Sequence, residues 1–271
     1  VHRMILREKD RPIGIFDSGL GGLTVLKEIQ NMLPNENLIY FGDSGRAPYG
    51  TKSKETVIRY TFQDIGFLMS KHVKMIVIAC NTASACSLPR VIANCDIPVV
   101  EVVGPGSRAA SGGKKVAVIG TSATIESGVY KTALSNLSPE ITYYGKACPL
   151  FVPLVEEGWW DNDIAKAVAA EYLAPVAESG ADTLILGCTH YPLLIPAIRS
   201  VLGDSIRLIN SARAVAEEVA LRLRELNLLR IETPGQISFY TSDSAEKFAS
   251  LGSVFLGRPL EDVSRIDIEA F

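Results

Sequence analysis

Short runs of β-branched and apolar residues alternate along the chain with longer amphipathic stretches. "PIGIF" predicts a strand, with a helix from about Leu23 to Met32 after it. "NLIYF" predicts the next strand, followed by a helix over Lys54 to Ser70, and "KMIVIA" leads into a helix that ends near Ala93. Past Pro98 the scheme repeats. "KVAVIG", "ITYYG" and "DTLILG" read as strands, with helices near Ala123 to Leu137, Asn162 to Glu178 and Pro192 to Val201. "IRLIN" and the helical stretch "SARAVAEEVALRLREL" follow. Strands that alternate with helices imply parallel sheets with crossover connections, and nearly unbroken apolar strands such as "MIVIA" and "TLILG" are the kind buried on both faces. The pattern predicts an α/β protein.

In such sheets ligands gather beyond the carboxyl ends of strands, where loops turn into helix N-termini. The unusual residues of this chain fall there. "DSGLGG" follows "PIGIF", "GDSGRAPYG" follows "NLIYF", "CNT" follows "MIVIA", "GTSAT" follows "VAVI" and "GCTH" follows "TLIL". Each half of the chain holds one strand-Cys-helix unit. This predicts two similar parallel-sheet α/β domains facing one another across an active-site cleft, the first over residues 1–101 and 211–271 and the second over 102–210. The crossings fall at "VVGPG" and near Asn210. The tail from about Leu226 is open between packing on the first domain and joining a subunit contact.

Composition narrows the classes. With 271 residues, 47% hydrophobic and 21% charged, the chain can bury a large core and is not a disordered segment. A net charge of −3 and the lack of a Lys/Arg block argue against a nucleic-acid partner. No apolar run approaches the ~20 residues of a membrane span. The charged "VHRMILREKD" is unlike a signal peptide, so a cytoplasmic location without membrane partners is expected. The five cysteines include no C-x-x-C pair, which suggests neither a disulfide framework nor a metal site.

Two of those cysteines share a setting. Cys80 in "VIACNTASA" and Cys188 in "LILGCTHYP" each end a strand just ahead of a helix. The partial positive charge of a helix N-terminus can lower a thiol pKa, and Thr82 and Thr189 add hydroxyls beside them. Small buried cysteines are also common in α/β cores, the reading given to Cys86, Cys95 and Cys148. A matched pair asks for more. Redox exchange would bring the thiols into contact, whereas two-sided proton transfer would hold them on opposite faces of a small substrate, one as base and one as acid. Asp17, at the end of the first strand, could orient or deprotonate Cys80, and His190 could serve Cys188.

"DSGLGG" resembles a phosphate cradle, but Gly19, Gly21 and Thr24 do not complete G-x-G-x-x-G, and no G-x-x-x-x-G-K-[ST] occurs. Asp17 before the loop favours a cationic group such as an ammonium. Ser18, Asn81, Thr82 and Thr189 could hold carboxylates. An amino acid carries both kinds of group.

"IGIFDSGLGGLTVLKEI", "YFGDSGRAPYG", "VIACNTASA", "ACPLFVPLVEEG" and "LILGCTHYPLL", in this order, resemble the glutamate racemases, cofactor-independent enzymes that supply D-glutamate for peptidoglycan. That resemblance implies Cys80 and Cys188 as the catalytic acid/base pair, with Asp17, His190 and Glu156 as supporting groups. It implies substrate contacts from Asp17 with Ser18, Tyr49 with Gly50, Asn81 with Thr82, and Thr189 with His190, and further carboxylate contacts from Thr121 and Thr124. L- and D-glutamate are the implied small-molecule substrates, with no pyridoxal phosphate or other cofactor, no metal, and a homodimer as the assembly. The rivals are an aspartate or hydantoin racemase of the same superfamily, a thiol redox protein and a non-catalytic interaction protein. A related decarboxylase would use one cysteine, and this chain keeps both.

Overall fold

The computed structural model describes residues 7–271, so the first six residues of the expected first domain lie outside it. In chain order its regular elements begin with β1 (Ile13–Asp17), α1 (Leu23–Met32), β2 (Leu38–Gly42), α2 (Lys54–Ser70), β3 (Met75–Ile78), α3 (Asn81–Asn94), β4 (Val99–Glu101) and α4 (Val103–Ala110). They continue with β5 (Lys115–Gly120), α5 (Ser122–Glu126), α6 (Val129–Leu137), β6 (Thr142–Ala147), α7 (Phe151–Glu156), α8 (Asp163–Glu178), β7 (Thr183–Gly187), α9 (Ile195–Leu202) and β8 (Arg207–Ile209). The last are α10 (Ser211–Glu225), β9 (Ile237–Thr241), α11 (Ala245–Leu256) and β10 (Val263–Arg265).

Two parallel-sheet α/β domains result. One sheet has the order β10-β9-β2-β1-β3-β4 and the other β6-β5-β7-β8, and every pairing is parallel. The central strands β1, β3 and β7 are buried along their whole length, as their unbroken apolar runs require. Alternate side chains of β1 serve different cores. Ile13 and Ile15 join a large cluster that continues through α4 and α10 into the second sheet, and Phe16 joins a smaller cluster with Phe41 and Phe67.

The chain leaves the first sheet after β4 and returns to it after β8, and α4 and α10 pack on each other while α10 packs on α1. The tail builds on the first domain. Ile237 pairs with Leu38 and Thr241 with Gly42, so β9 extends the first sheet and β10 pairs with β9.

Two helices differ from expectation. The stretch from Ala123 to Leu137 is two helices, because Gly128 takes a left-handed φ of 68° that ends α5 and turns the chain into α6. The helix expected from Pro192 begins as a tighter turn over Tyr191–Leu194, and α9 starts at Ile195 with Pro196 in its first turn, where a missing N–H costs nothing.

Candidate active site

Strands β2-β1-β3-β4 of the first sheet and β6-β5-β7-β8 of the second have the same order. In each, the chain goes from the first strand to a neighbour on one side and then crosses to the other side, and the crevice at that reversal is where an open parallel sheet binds ligands. Ser18 and Cys80 therefore correspond to Thr121 and Cys188: continuing the strand registers, Ser18 follows β1 beside Cys80 after β3, and Thr121 follows β5 beside Cys188 after β7. The two crevices face each other. Between them lies a cavity of about 20 Å³ with Cys80 and Cys188 both in its wall.

The first domain lines this cavity with Ser18, Tyr49, Gly50, Asn81 and Thr82; the second adds Thr121, Glu156, Thr189 and His190. Asp17 and Thr124 stand one layer behind. Fully buried Asp17 accepts hydrogen bonds from the Gly19 amide at 3.2 Å and from Thr189 Oγ1 at 3.3 Å, so it joins the domains. Thr124 Oγ1 is 3.0 Å from Thr121 Oγ1 and 3.3 Å from Thr82 Oγ1, and the latter two hydroxyls are 2.9 Å apart across the cleft. Gly21 and Gly50 permit this closeness: a Cβ on Gly21 would collide with Thr189, and one on Gly50 with Thr121.

Cys80 caps α3, its sulfur accepting from the Ala83 amide at 3.4 Å, and its thiol lies 3.5 Å from Ser18 Oγ. The expectation of a lowered thiol pKa fails here. Burial, and then the charge of Asp17, push Cys80 up to about 12, outweighing the helix amide and Ser18. The hydrogen bonds of Asp17 go to Gly19 and Thr189, so it reaches Cys80 through its charge.

Cys188 has a different companion. Its sulfur is 3.8 Å from His190 Nδ1, and His190 Nε2 is 3.4 Å from Glu156 Oε1, an ion-pair distance without hydrogen-bond alignment. Burial works against the charged imidazole, but Cys188 and then Glu156 prevail and push His190 up to about 10. Burial, opposed by His190, raises Asp17 from its ordinary range.

Some residues of the site escaped the sequence reading. Val152, Ala47 and Pro48 also line the cavity, the Tyr130 hydroxyl donates to Asn81 Oδ1 at 2.6 Å, and Tyr40 donates to the Gly19 carbonyl at 2.9 Å. Nothing in a buried tyrosine's sequence neighbourhood marks its hydroxyl as facing another domain. Tyr49 lines the cavity while its hydroxyl turns to the buried Asp43 and Asp64. Among the described residues no group of three or more His, Cys, Asp or Glu side chains is arranged to hold a metal ion, and no helix is long and apolar enough to cross a membrane.

Two facing α/β domains with one thiol each at equivalent strand ends define a class, and the Asp/Glu/Hydantoin racemase family model matches residues 13–219. The chain belongs to that family. It is 48% identical over 264 residues to a glutamate racemase of Geobacter metallireducens, covering 96% of this chain and 98% of that protein. The crystal structure of glutamate racemase from Francisella tularensis in complex with D-glutamate superposes with a TM-score of 0.93 at 38% identity, covering 97% of this chain and 100% of that one. The Thermus thermophilus glutamate racemase, solved with beta-chloro-D-alanine, gives 0.89 at 44% identity over 98% of this chain and 100% of its own.

Proposed function

We propose that the protein is a cofactor-independent isomerase that interconverts L- and D-glutamate by moving a proton at Cα between Cys80 and Cys188, and that it supplies D-glutamate for peptidoglycan. The observation that carries this reading is the pair of thiols at equivalent strand ends of facing domains, both opening on one cavity. The names of the similar proteins support glutamate as substrate.

Inversion needs a base on one face of Cα and an acid on the other. Cys80, held as a thiol by burial and by Asp17, is suited to give a proton, and Cys188, with His190 Nδ1 3.8 Å from its sulfur, is the partner that takes one. The roles exchange when the reaction runs backwards. Hydroxyls and amides of Ser18, Asn81, Thr82, Thr121 and Thr189, with the Tyr49–Gly50 backbone, offer donors to carboxylates in a water-poor site. The cavity of about 20 Å³ has room for roughly one water. An amino acid therefore enters only when the domains, divided at 101/102 and 210/211, move apart.

The test is circular dichroism of L-glutamate, and separately of L-aspartate, incubated with purified protein and no added cofactor. Optical activity should vanish with glutamate alone. Cys80→Ala and Cys188→Ala should each lower kcat by at least about a hundredfold, the scale of general acid/base assistance. Racemised aspartate would move the assignment to another member of the family, and a single-cysteine variant working at the parent rate would remove the two-base mechanism.

A further inference from the structure

Beneath the loop that closes one side of the cavity lies a buried charge cluster that the proposed reaction leaves unused. Asp43 and Asp64 are fully buried. Arg46 joins them, its Nε donating to Asp43 Oδ2 at 2.7 Å and its Nη2 to Asp64 Oδ1 at 3.0 Å. The Tyr49 hydroxyl sits between the same acids, in contact with Asp43 Oδ2 and 2.9 Å from Asp64 Oδ2. Ser242 donates to Asp43 Oδ1 at 2.7 Å.

A phenol has one proton to give and here faces two carboxyl groups. Two carboxylates against one guanidinium would also leave a net negative charge in the interior, which is heavily penalised. Both difficulties vanish when Asp64 is neutral. Its Oδ2–H donates to the Tyr49 oxygen, the Tyr49 O–H donates to Asp43, and the Asp43 carboxylate balances Arg46. Burial, and then the charge of Asp43, push Asp64 well above the usual carboxylate range, in keeping with this proton arrangement.

The cluster sets the position of a loop. Ala47, Pro48, Tyr49 and Gly50 form one wall of the cavity, and Gly50 meets Thr121 of the facing domain. At its outer end the unit reaches α2 and the final turn, where Arg46 Nη1 is 2.5 Å from Gln63 Oε1 of α2 and 3.2 Å from Glu269 Oε1 of that turn.

We infer that Asp64 is a positioning residue: as a neutral carboxylic acid hydrogen-bonded to the Tyr49 hydroxyl, it fixes the Tyr49–Gly50 backbone where that segment meets substrate. This rests on the racemase reading above. The test joins steady-state racemisation kinetics with infrared difference spectra of the wild type against Asp64→Asn at neutral pH. An asparagine copies the shape and donor of a neutral acid, so Asp64→Asn should keep kcat and KM within about threefold, well inside the cost of an unpaired buried group. Asp64→Leu cannot donate, and should raise KM by about tenfold or more with a smaller change in kcat. The difference spectrum should show the carbonyl band of a protonated carboxyl in the wild type only. An active wild type without that band, or an Asp64→Asn enzyme as impaired as Asp64→Leu, overturns this inference alone. A wild type that shows the band yet leaves glutamate unchanged overturns the substrate reading, and the positioning role with it.

Discussion

Cys80 and Cys188 occupy equivalent places, but their companions differ, and the difference has a measurable effect on stability. His190 has an ordinary pKa of 6.5 and is pushed up to about 10 in the fold, where Cys188 and Glu156 outweigh the opposing effect of burial. Below about 6.5 the imidazole is protonated in folded and unfolded chains alike, and its contribution is fully present. Between about 6.5 and about 10 the unfolded chain gives up that proton while the folded one keeps it, so stability falls as pH rises through this window. Urea unfolding midpoints measured across it should decline, and His190→Asn should flatten the decline. A variant with the parent slope would show that other groups set it. Sequence alone could place both thiols and name their companions. It could not weigh burial against a helix terminus, and so the direction of the Cys80 shift was legible only once Cys80 was seen at 5% exposure beside a buried Asp17.

Among the elements, the loop before α2 shows how backbone rather than side chain can be what a site requires. Gly50 packs against Thr121 at the start of α5, and a Cβ there has no room. Gly50→Ala should therefore leave the unfolding midpoint close to the parent while kcat/KM falls by about a hundredfold, the cost of a displacement near 1 Å in a preorganised site. Steady-state kinetics beside a thermal melt checks this, and an undiminished kcat/KM would mean that the loop has slack. The strands that carry the site were readable because β1, β3, β5 and β7 are apolar runs with polar loops after them. The tail was not. Half-exposed β9 and mostly exposed β10 lack a clear alternation, and their place is set by β2, some two hundred residues earlier. The break at Gly128 was hidden for another reason: an isolated glycine in a helical pattern is tolerated as often as it ends one.

At the scale of the whole molecule, the small cavity and the polar bridges across the cleft, Thr82 to Thr121 and Thr189 to Asp17, describe a closed arrangement. Opening it would break these bonds and that of Tyr130 to Asn81, with α4 and α10, which pack on each other across the division, as the joint. Solution X-ray scattering should give a larger radius of gyration for the free protein than this closed form has, and glutamate should reduce it. An unchanged radius would place entry elsewhere. The matched strand orders carry a further consequence. A reaction between mirror images has an equilibrium constant of one, so a catalyst for it has no preferred direction to serve. Matched topologies put one thiol from each domain on the same cavity, so in the proposed reaction the forward and reverse directions call on the same two positions with their tasks exchanged.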